Sequence, residues 1–268
     1  MLLLFLVHWG CSKIPDIPTE GESWSFITFG DVRNGYGIYS YFAGEIGAIQ
    51  PTPELSICLG DILKQGGNEI EWIDFWRLSE PITDVMPLYL VRGNHEGNEL
   101  VFSEQTGLPA DMFYYSFSHR DCFFIILDSH EKGHEVDIGP SQFDWLKNQL
   151  DYAYKQIEFH HIFIFLHYPV FPKGKYRNYP MKIRDQLHSL FVENNKIRAV
   201  FAGHEHSFNR SKKDSINYII TGGGGSPLDH RYGGDYFHFL KISVFEKNNR
   251  INVKSIGIYN EVVDEFDL

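Results

Sequence analysis

Residues 87–96 read PLYLVRGNHE, an apolar run that stops at a glycine and is followed at once by possible metal ligands. An apolar run of this length is typical of a buried strand. Gly93 lets the chain turn sharply off that strand. Asn94 and His95 therefore fall at the carboxyl end of a strand, where open α/β sheets place their sites.

Four other stretches repeat this design. They are WSFITF-Gly30-Asp31, LSICL-Gly60-Asp61, HIFIFL-His167 and IRAVFA-Gly203-His204-Glu205-His206. One such junction is explained equally well by a hydrogen-bonded polar residue at the start of a loop. Five of them in this order are what a two-metal hydrolytic centre requires. The candidate ligands are Asp31, Asp61, Asn94, His167, His204 and His206.

The chemistry of these candidates narrows the choice of metal. They supply carboxylate oxygens, an amide oxygen and imidazole nitrogens, without a thiolate. This donor set suits Mn, Fe or Zn and disfavours a soft-metal site.

The order of apolar runs predicts an α/β fold. Strands are predicted at 24–29, 55–59, 87–91, 113–117, 122–127, 161–166, 198–202, 216–221, 236–245 and 250–258. Helices are predicted at 38–49, 69–80, 97–106, 140–155 and 182–194, with Trp72, Ile73, Trp76 and Ala153–Tyr154 facing the core. The first half alternates strand and helix, which favours parallel pairing. The tail from 216 favours an antiparallel or mixed edge, and two sheets packed face to face with helices outside would hold everything in one domain.

Composition excludes some classes of function. The net charge of −11 argues against non-specific nucleic-acid binding, which depends on Lys and Arg neutralising phosphates. It does not exclude a phosphate substrate, because a bound metal reverses the local field. Cys58 and Cys122 lie in apolar runs and are predicted to be buried thiols.

The N-terminus has a different character. MLLLFLVHWG precedes Cys11, which is the shape of a bacterial lipoprotein signal, although the apolar stretch is short and no basic residue precedes it. We therefore set residues 1–20 apart as a signal-like segment and tether. An acylated Cys11 would anchor an exported protein to the bacterial cell envelope; otherwise the protein would be periplasmic or secreted. The alternative is an ordinary hydrophobic N-terminus.

The five junctions together resemble the calcineurin-like metallophosphoesterase superfamily. The spacing and the Gly222–Gly225 loop bring the chain closest to its purple-acid-phosphatase-like bacterial branch. The resemblance runs from Trp24 to the C-terminus and makes residues 21–268 one metallophosphoesterase domain. It implies a four-layer α-β-β-α sandwich with two mixed β-sheets.

The resemblance also implies roles for the matching residues. Asp31, Asp61 and His206 would hold a first metal ion. Asp61 would bridge to a second ion, completed by Asn94, His167 and His204. His95 would face the substrate as proton donor or phosphate contact.

Two positions depart from the family pattern. Arg33 stands where most of the superfamily has a histidine, and Lys64 stands where purple acid phosphatases have a tyrosine. A guanidinium has no lone pair for a metal, so the first ion keeps fewer protein ligands. Arg33 could instead hold a substrate phosphate oxygen, pair with a nearby carboxylate, or mark a site that has lost its function. The formal charges of two divalent ions, two aspartates, a bridging hydroxide and Arg33 would together balance a phosphate dianion. This charge balance favours the phosphate contact.

These residues predict a metal-dependent phosphoesterase that hydrolyses phosphate mono- or diesters. The resemblance implies attack by a hydroxide that bridges two ions, with Mn, Fe or Zn as candidates. The alternative is a degenerate phosphoesterase that serves as a non-catalytic phosphate- or metal-binding surface lipoprotein. The oligomeric state is left open.

Several other polar residues are interpreted as structural. Asp128-Ser129-His130 is predicted to form a turn, and Gly222–Gly225 a loop pressed against the metal site. The segment Lys173–Arg177 either selects the leaving group of the substrate or is a solvated loop. Structural roles are also predicted for His160, His161, His188 and His238.

Overall fold

The structure is a computed structural model that describes residues 23–268, so Cys11 and the segment 1–20 lie outside the described residues. The strands are β1 (Ser23–Phe29), β2 (Leu55–Cys58), β3 (Leu88–Leu90), β4 (Tyr115–His119), β5 (Cys122–Ile126), β6 (His161–Leu166), β7 (Ile197–Ala202), β8 (Phe208–Lys213), β9 (Ile216–Thr221), β10 (His238–Phe245), β11 (Arg250–Gly257) and β12 (Val262–Asp267). The helices are α1 (Tyr36–Gly47), α2 (Glu69–Thr83), α3 (Glu99–Thr106), α4 (Pro140–Lys155) and α5 (Arg184–Val192).

The strands form two mixed sheets. The first has the order β12-β11-β10-β1-β2-β3, and the second has the order β4-β5-β6-β7-β9-β8. In the first sheet β1, β2 and β3 pair in parallel, while β10 runs antiparallel to β1. In the second sheet β5, β6, β7 and β9 are parallel, and β4 and β8 are antiparallel edges.

Alternating side chains bury both faces of each sheet. Phe26 of β1 packs between the sheets, with its ring centroid 5.3 Å from that of Phe124 and 5.1 Å from that of Phe163. The next residue, Ile27, points the other way and packs under helices α1 to α3. In the second sheet Ile164 points outward beneath α4 and α5. This period of two is what a strand covered on both faces requires, and it confirms the four-layer α-β-β-α sandwich.

The structure also corrects some predicted elements. The sequence analysis missed β8 and β12, the edge strands FNRSKK and VVDEFD. Edge strands face water along much of their length, so they lack a continuous apolar run. The tail is also split between the sheets, because β9 joins β7 while β10 to β12 extend the first sheet.

Two residues predicted to face the core do not. Ile73 is 65% exposed, whereas its neighbour Trp72 is buried. Tyr154 is 52% exposed, while Ala153 is buried. Adjacent helical residues point about 100° apart, so the members of each pair cannot share one face. The predicted burial of Cys58 and Cys122 is confirmed, and both are free thiols.

Within residues 23–268, no helix is both long enough and apolar enough to cross a membrane. Attachment through Cys11 therefore stays a prediction about residues that the structure does not describe.

Two isoleucines test the packing of the second sheet against its helices. Ile164 is fully buried in β6, whereas Ile157 in the preceding loop is 90% exposed. Ile164→Ala should lower the free energy of unfolding by about 2–5 kcal/mol, because it removes buried methylene groups and leaves a cavity. Ile157→Ala should change it by less than about 0.5 kcal/mol. Urea unfolding of both variants would measure the difference, and equal effects would contradict this packing.

Candidate metal centre

The two sheets bring their ligand-bearing loops to one place. Asp31, Asp61 and Asn94 follow β1, β2 and β3 of the first sheet. The histidine-bearing loops follow β6 and β7 of the second sheet. Parallel strands end at the same edge of a sheet, and here the edges of the two sheets meet. All six predicted ligands therefore lie in one cluster.

The backbone of three junctions turns in the same way. Asp31, Asp61 and His204 have positive φ angles of 60°, 51° and 67°. This left-handed conformation costs a residue with a side chain about 1–2 kcal/mol. Gly60, with φ 88°, makes the second turn possible, since a Cβ atom there would lie 2.6 Å from the backbone nitrogen of Gly93. The strained turns point the side chains across the strand ends into the cluster.

One group of donors contains four side chains. Asn94 Oδ1 lies 3.0 Å from His167 Nε2 and 3.1 Å from His204 Nδ1. The two imidazole nitrogens are 3.2 Å apart, and His167 Nε2 is 3.3 Å from Asp61 Oδ1. Four nitrogen and oxygen atoms at these separations surround a space suited to one ion. Asp61, His167 and His204 meet the geometric requirement for a metal site by themselves.

A second group shares Asp61 with the first. It contains Asp31, Asp61 and His206, whose ligand atoms also lie within 4.8 Å of one another. His206 Nε2 is 3.5 Å from Asp31 Oδ1. That carboxylate oxygen is buried and has no hydrogen-bond partner within the described residues. A buried carboxylate oxygen without a partner is costly, and a cation at this position would remove the cost.

The histidine tautomers fit metal ligation. His167 Nδ1 lies 2.7 Å from the carbonyl oxygen of Leu59, and His206 Nδ1 lies 2.8 Å from that of Pro227. A carbonyl oxygen only accepts, so both Nδ1 atoms carry the hydrogen. Each Nε2 atom then presents a lone pair to the cluster. Metal-binding histidines are commonly oriented by such a second hydrogen bond.

Burial keeps these histidines neutral. Burial lowers the pKa of His167 and of His206, and it lowers the pKa of His204 to about 2 with help from His167. Neutral imidazole is the form that binds metal.

The two carboxylates differ in their surroundings. Burial, followed by the charge of Asp61, raises the pKa of Asp31. Burial also raises the pKa of Asp61, but neighbouring positive charge, including the permanent charge of the hydrogen-bonded Arg33, outweighs it and holds the pKa at about 2. Asp61 is therefore the permanent negative charge at the centre of the cluster.

Arg33 and His95 both contact this shared carboxylate. Arg33 Nε donates a hydrogen bond to Asp61 Oδ2 at 3.0 Å. The backbone N–H of His95 donates to Asp61 Oδ1 at 3.1 Å, and His95 Nε2 lies 3.9 Å from Oδ2. The pairing with a nearby carboxylate that was considered for Arg33 is thus present, and this arginine also lines the cavity above the cluster.

Sequence analysis missed two glutamates that hold the site together. Glu96 is fully buried, and its carboxylate accepts N–H bonds from Asp61, Ile62, Leu63 and Gly93. Burial, followed by the charge of Asp61, raises the pKa of Glu96 to about 8, and the N–H donors oppose that rise. Glu205 is also buried and accepts N–H bonds from the loop at 173–176. The only available signal was that both residues stand inside ligand motifs, Gly-Asn-His-Glu and His-Glu-His.

The residues predicted to be structural lie away from the ligands or support them. Asp128 forms a buried ion pair with Arg92, with Arg92 Nη2 2.7 Å from Asp128 Oδ2. His188 lies within hydrogen-bond distance of the Tyr218 hydroxyl and of Asp214. His238 lies within hydrogen-bond distance of Thr221 and of the carbonyl of Tyr236.

Two other histidines stand apart from the cluster as well. His161 accepts a hydrogen bond from Arg198, and His160 lies near Asp121.

The glycine loop is pressed against the cluster. A Cβ atom at Gly222 would lie 2.8 Å from Asp31 Oδ2 and 2.3 Å from the carbonyl oxygen of Glu205. The backbone N–H of Ser226 donates to the carbonyl of Asp31 at 2.7 Å. The loop therefore closes over the backbone of a ligand, which requires glycine at this contact.

A cavity of about 500 Å³ opens above the ligand cluster. Its floor includes Asp61, Asn94 and His204, with Arg33 and His95 beside them. Its walls come from residues 174–176 and 227–232. The exposed sides of the candidate ligands thus face a space large enough for a small substrate.

Comparisons with known proteins agree with this geometry. A family model described as calcineurin-like phosphoesterase matches residues 25–208. Purple acid phosphatase 22 of Arabidopsis thaliana is 24% identical over 191 residues, which are 62% of this chain and 43% of that protein.

Two solved structures have a similar fold. The purple acid phosphatase PPD1 from yellow lupin (Lupinus luteus) seeds superposes with a TM-score of 0.76 at 16% identity, over 94% of this chain and 54% of that chain. GAP50, described as the anchor in the inner membrane complex of Plasmodium, gives a TM-score of 0.69 at 18% identity, over 92% of this chain and 88% of that chain. The chain thus spans about half the length of the two purple acid phosphatases.

The unequal donor groups predict unequal metal affinity. The group around Asn94 offers four protein ligands, whereas the other offers three and has Arg33 on one of its oxygens. Metal-loaded protein dialysed against metal-free buffer should keep about one ion per chain, because fewer ligands bind an ion more weakly. Inductively coupled plasma mass spectrometry would measure the metal content.

Matched variants identify the retained ion. Asn94→Ala should lose it, while His206→Ala should retain it. Two ions that resist dialysis equally in the unmodified protein would contradict the asymmetry.

Proposed function

This chain belongs to the calcineurin-like phosphoesterase family, and we propose that it hydrolyses phosphate mono- or diesters with two metal positions that share Asp61. The observation that carries the proposal is the meeting of two donor groups at Asp61 beneath one open cavity. Bound di- or trivalent ions there would lower the pKa of a water molecule and offset negative charge on the phosphate.

His95 is placed to handle a proton. Its Nδ1 atom lies 2.9 Å from the carbonyl oxygen of Lys64 and therefore carries a hydrogen. This bond directs Nε2 toward the cavity, on the side of Asp61. A protonated Nε2 at that position can donate its hydrogen to a leaving oxygen, which is the role of a general acid.

Arg33 is placed to bind substrate as well as Asp61. Its Nε–H is used by Asp61, and the terminal nitrogens of the guanidinium have no hydrogen bond within residues 23–268. Since Arg33 lines the cavity, these nitrogens can hold an oxygen of a phosphate group, for which the planar fork is suited. Arg33 would then link the charge of the substrate to that of the shared carboxylate.

A second candidate function is non-catalytic binding of a phosphorylated ligand. Arg33 favours it, because its Nε–H occupies Asp61 Oδ2, whereas the other oxygen, Oδ1, lies near His167 of the larger donor group. A permanent cation there competes with the ion that catalysis would use. GAP50, which is described as an anchor, has a similar fold, but this likeness concerns the fold alone.

Hydrolysis assays separate the candidates. Purified protein supplied with Mn²⁺, Zn²⁺ or Fe²⁺ should hydrolyse p-nitrophenyl phosphate, bis-p-nitrophenyl phosphate, or both. Chelation should abolish the activity and the same metal should restore it, because the proposed reaction depends on ions that a chelator removes. Phosphate binding without turnover under every metal condition would establish the non-catalytic alternative.

A His95→Ala variant tests the proposed proton donor. Its metal content should equal that of the unmodified protein, because no donor group needs the His95 side chain. Its kcat should fall by about 10²–10⁴-fold for esters with poor leaving groups, and much less for p-nitrophenyl phosphate. The control is His160→Ala, which changes an exposed histidine far from the cavity. An equal loss of kcat for esters with good and poor leaving groups would contradict the general-acid role of His95.

An Arg33→Ala variant tests substrate binding. Turnover of phosphate esters should fall while the metal content is unchanged or rises, because Asp61 Oδ2 becomes free. Arg33→Lys should recover only part of the activity, since an ammonium cannot reproduce the fork. Loss of metal in parallel with activity would show that Arg33 serves only to position Asp61.

A further inference from the structure

The His204–His206 segment connects the ligand cluster to one wall of the cavity through the side chain of Glu205. Its carboxylate accepts N–H bonds from Lys173 at 2.8 Å, from Gly174 at 2.8 Å and from Tyr176 at 3.2 Å. Three N–H groups on a buried carboxylate form a strong, charge-assisted contact. The contact is also close, since a Cβ atom at Gly174 would lie 3.2 Å from Glu205. We call residues 173–177 the anchored loop.

The same segment also contacts the opposite wall of the cavity, residues 227–232. The carbonyl of His206 accepts the backbone N–H of Asp229 at 3.1 Å. The two walls then meet at their tips, where the Arg177 guanidinium lies 5.0 Å from the ring centroid of Tyr232. Glu205 and the backbone of His206 thus connect both walls of the cavity to the segment that carries two candidate ligands.

The anchored loop lies directly over the donors. The Tyr176 ring packs on His204, with 4.3 Å between the ring centroids. Lys175 and Tyr176 both line the cavity, whereas Lys173 does not. A group attached to a phosphate bound at the cluster would therefore extend along Lys175 and Tyr176.

The charges around the cavity mouth are mostly paired. Arg231 binds both oxygens of Asp229, at 2.9 and 3.0 Å. His230 lies 2.7 Å from Asp235. The Lys175 ammonium has no ion pair or hydrogen bond within the described residues, and its Nζ atom lies 5.1 Å from the Tyr176 ring centroid. Arg177 has no ion pair within the described residues either, but it packs on Tyr232 and does not line the cavity. On the cavity walls, Lys175 is thus the lining cation that can pair with a ligand.

We propose that the anchored loop selects phosphate esters whose leaving portion carries a second negative charge, which Lys175 binds, and that Glu205 is the positioning residue that holds Lys175 over the site. The proposal rests on the proposed function, since it assumes that phosphate binds at the cluster. The substrate class is a phosphate ester with a carboxylate or a further phosphate on its alcohol portion. Glu205 acts through its hydrogen bonds to the backbone of the anchored loop.

A pair of ligands that differ by one charge tests the proposal. Benzylphosphonate and 4-carboxybenzylphosphonate are not hydrolysed, so isothermal titration calorimetry on the Mn²⁺-loaded protein measures binding alone. The carboxylated compound should bind about three- to fivefold more tightly, which is what one partly exposed ion pair contributes. Equal affinity, or weaker binding of the carboxylated compound, would overturn the proposal.

Two lysines of the same loop provide matched variants. Lys175→Ala should abolish the preference for the carboxylated compound and leave the affinity for benzylphosphonate within about twofold. Lys173→Ala removes the same charge two residues away, outside the cavity, and should keep the preference. If both variants reduce the preference equally, the effect comes from the general charge of the loop and the role of Lys175 is disproved.

Glu205→Gln tests the positioning role. The glutamine directs an N–H group at backbone N–H donors, so the loop should detach and the preference should fall to that of Lys175→Ala. The preference is the ratio of the two affinities, so it reports the position of Lys175 even when metal content or the affinity for benzylphosphonate also falls. A variant that keeps the full preference would show that Glu205 does not position Lys175.

Hydrolysis of phenyl phosphate and 4-carboxyphenyl phosphate separates this inference from the proposed function. Turnover of both esters with equal KM would leave the phosphoesterase function intact and refute the selection by charge. A binding preference for the carboxylated compound without turnover of either ester would support the selection by charge and refute the phosphoesterase function.

Discussion

The site depends on one shared carboxylate. Asp61 stands where the ends of the two sheets meet, and both donor groups include it. Each contact it makes fixes it further, since Arg33 binds one oxygen and the His95 N–H the other. Beneath it, Glu96 accepts the N–H of Asp61 itself. A buried carboxylate is stable only when its charge is matched in this way. The histidines that surround it are neutral and so add no positive charge that would repel a metal ion.

The scaffold supplies the rigidity that this arrangement needs. Three of the ligands have left-handed backbone angles, and such strain persists only when the surroundings determine it fully. The aromatic core around Phe26, Phe124 and Phe163 holds the two sheets together. Glu96 and Glu205 then hold the surrounding loops by accepting hydrogen bonds from their backbone N–H groups. The ligands are therefore already close together without relying on bound metal to assemble them.

Much of this was predictable from the order of residues along the chain. Each of the five apolar runs ends at a candidate ligand, so the strands and the side chains that meet around Asp61 could be named one by one, including Asn94 and His206. The edge strands β8 and β12 could not, because their sequences are polar and half of each strand faces water. The exposure of Ile73 was also missed, since hydrophobicity alone does not give the direction of a side chain on a helix.

The sequence by itself determined which side chains could serve as metal ligands, because ligand type and strand-end position are local properties of the chain. Only the tertiary structure decided what those residues touch. Arg33 left three interpretations open, and the structure shows that one of them, pairing with a carboxylate, is present at Asp61. Glu205 gave no sign that it anchors a loop some thirty residues away along the chain. Contacts of this kind join segments that are distant in sequence, and their partners are set by how the two sheets and their loops pack together.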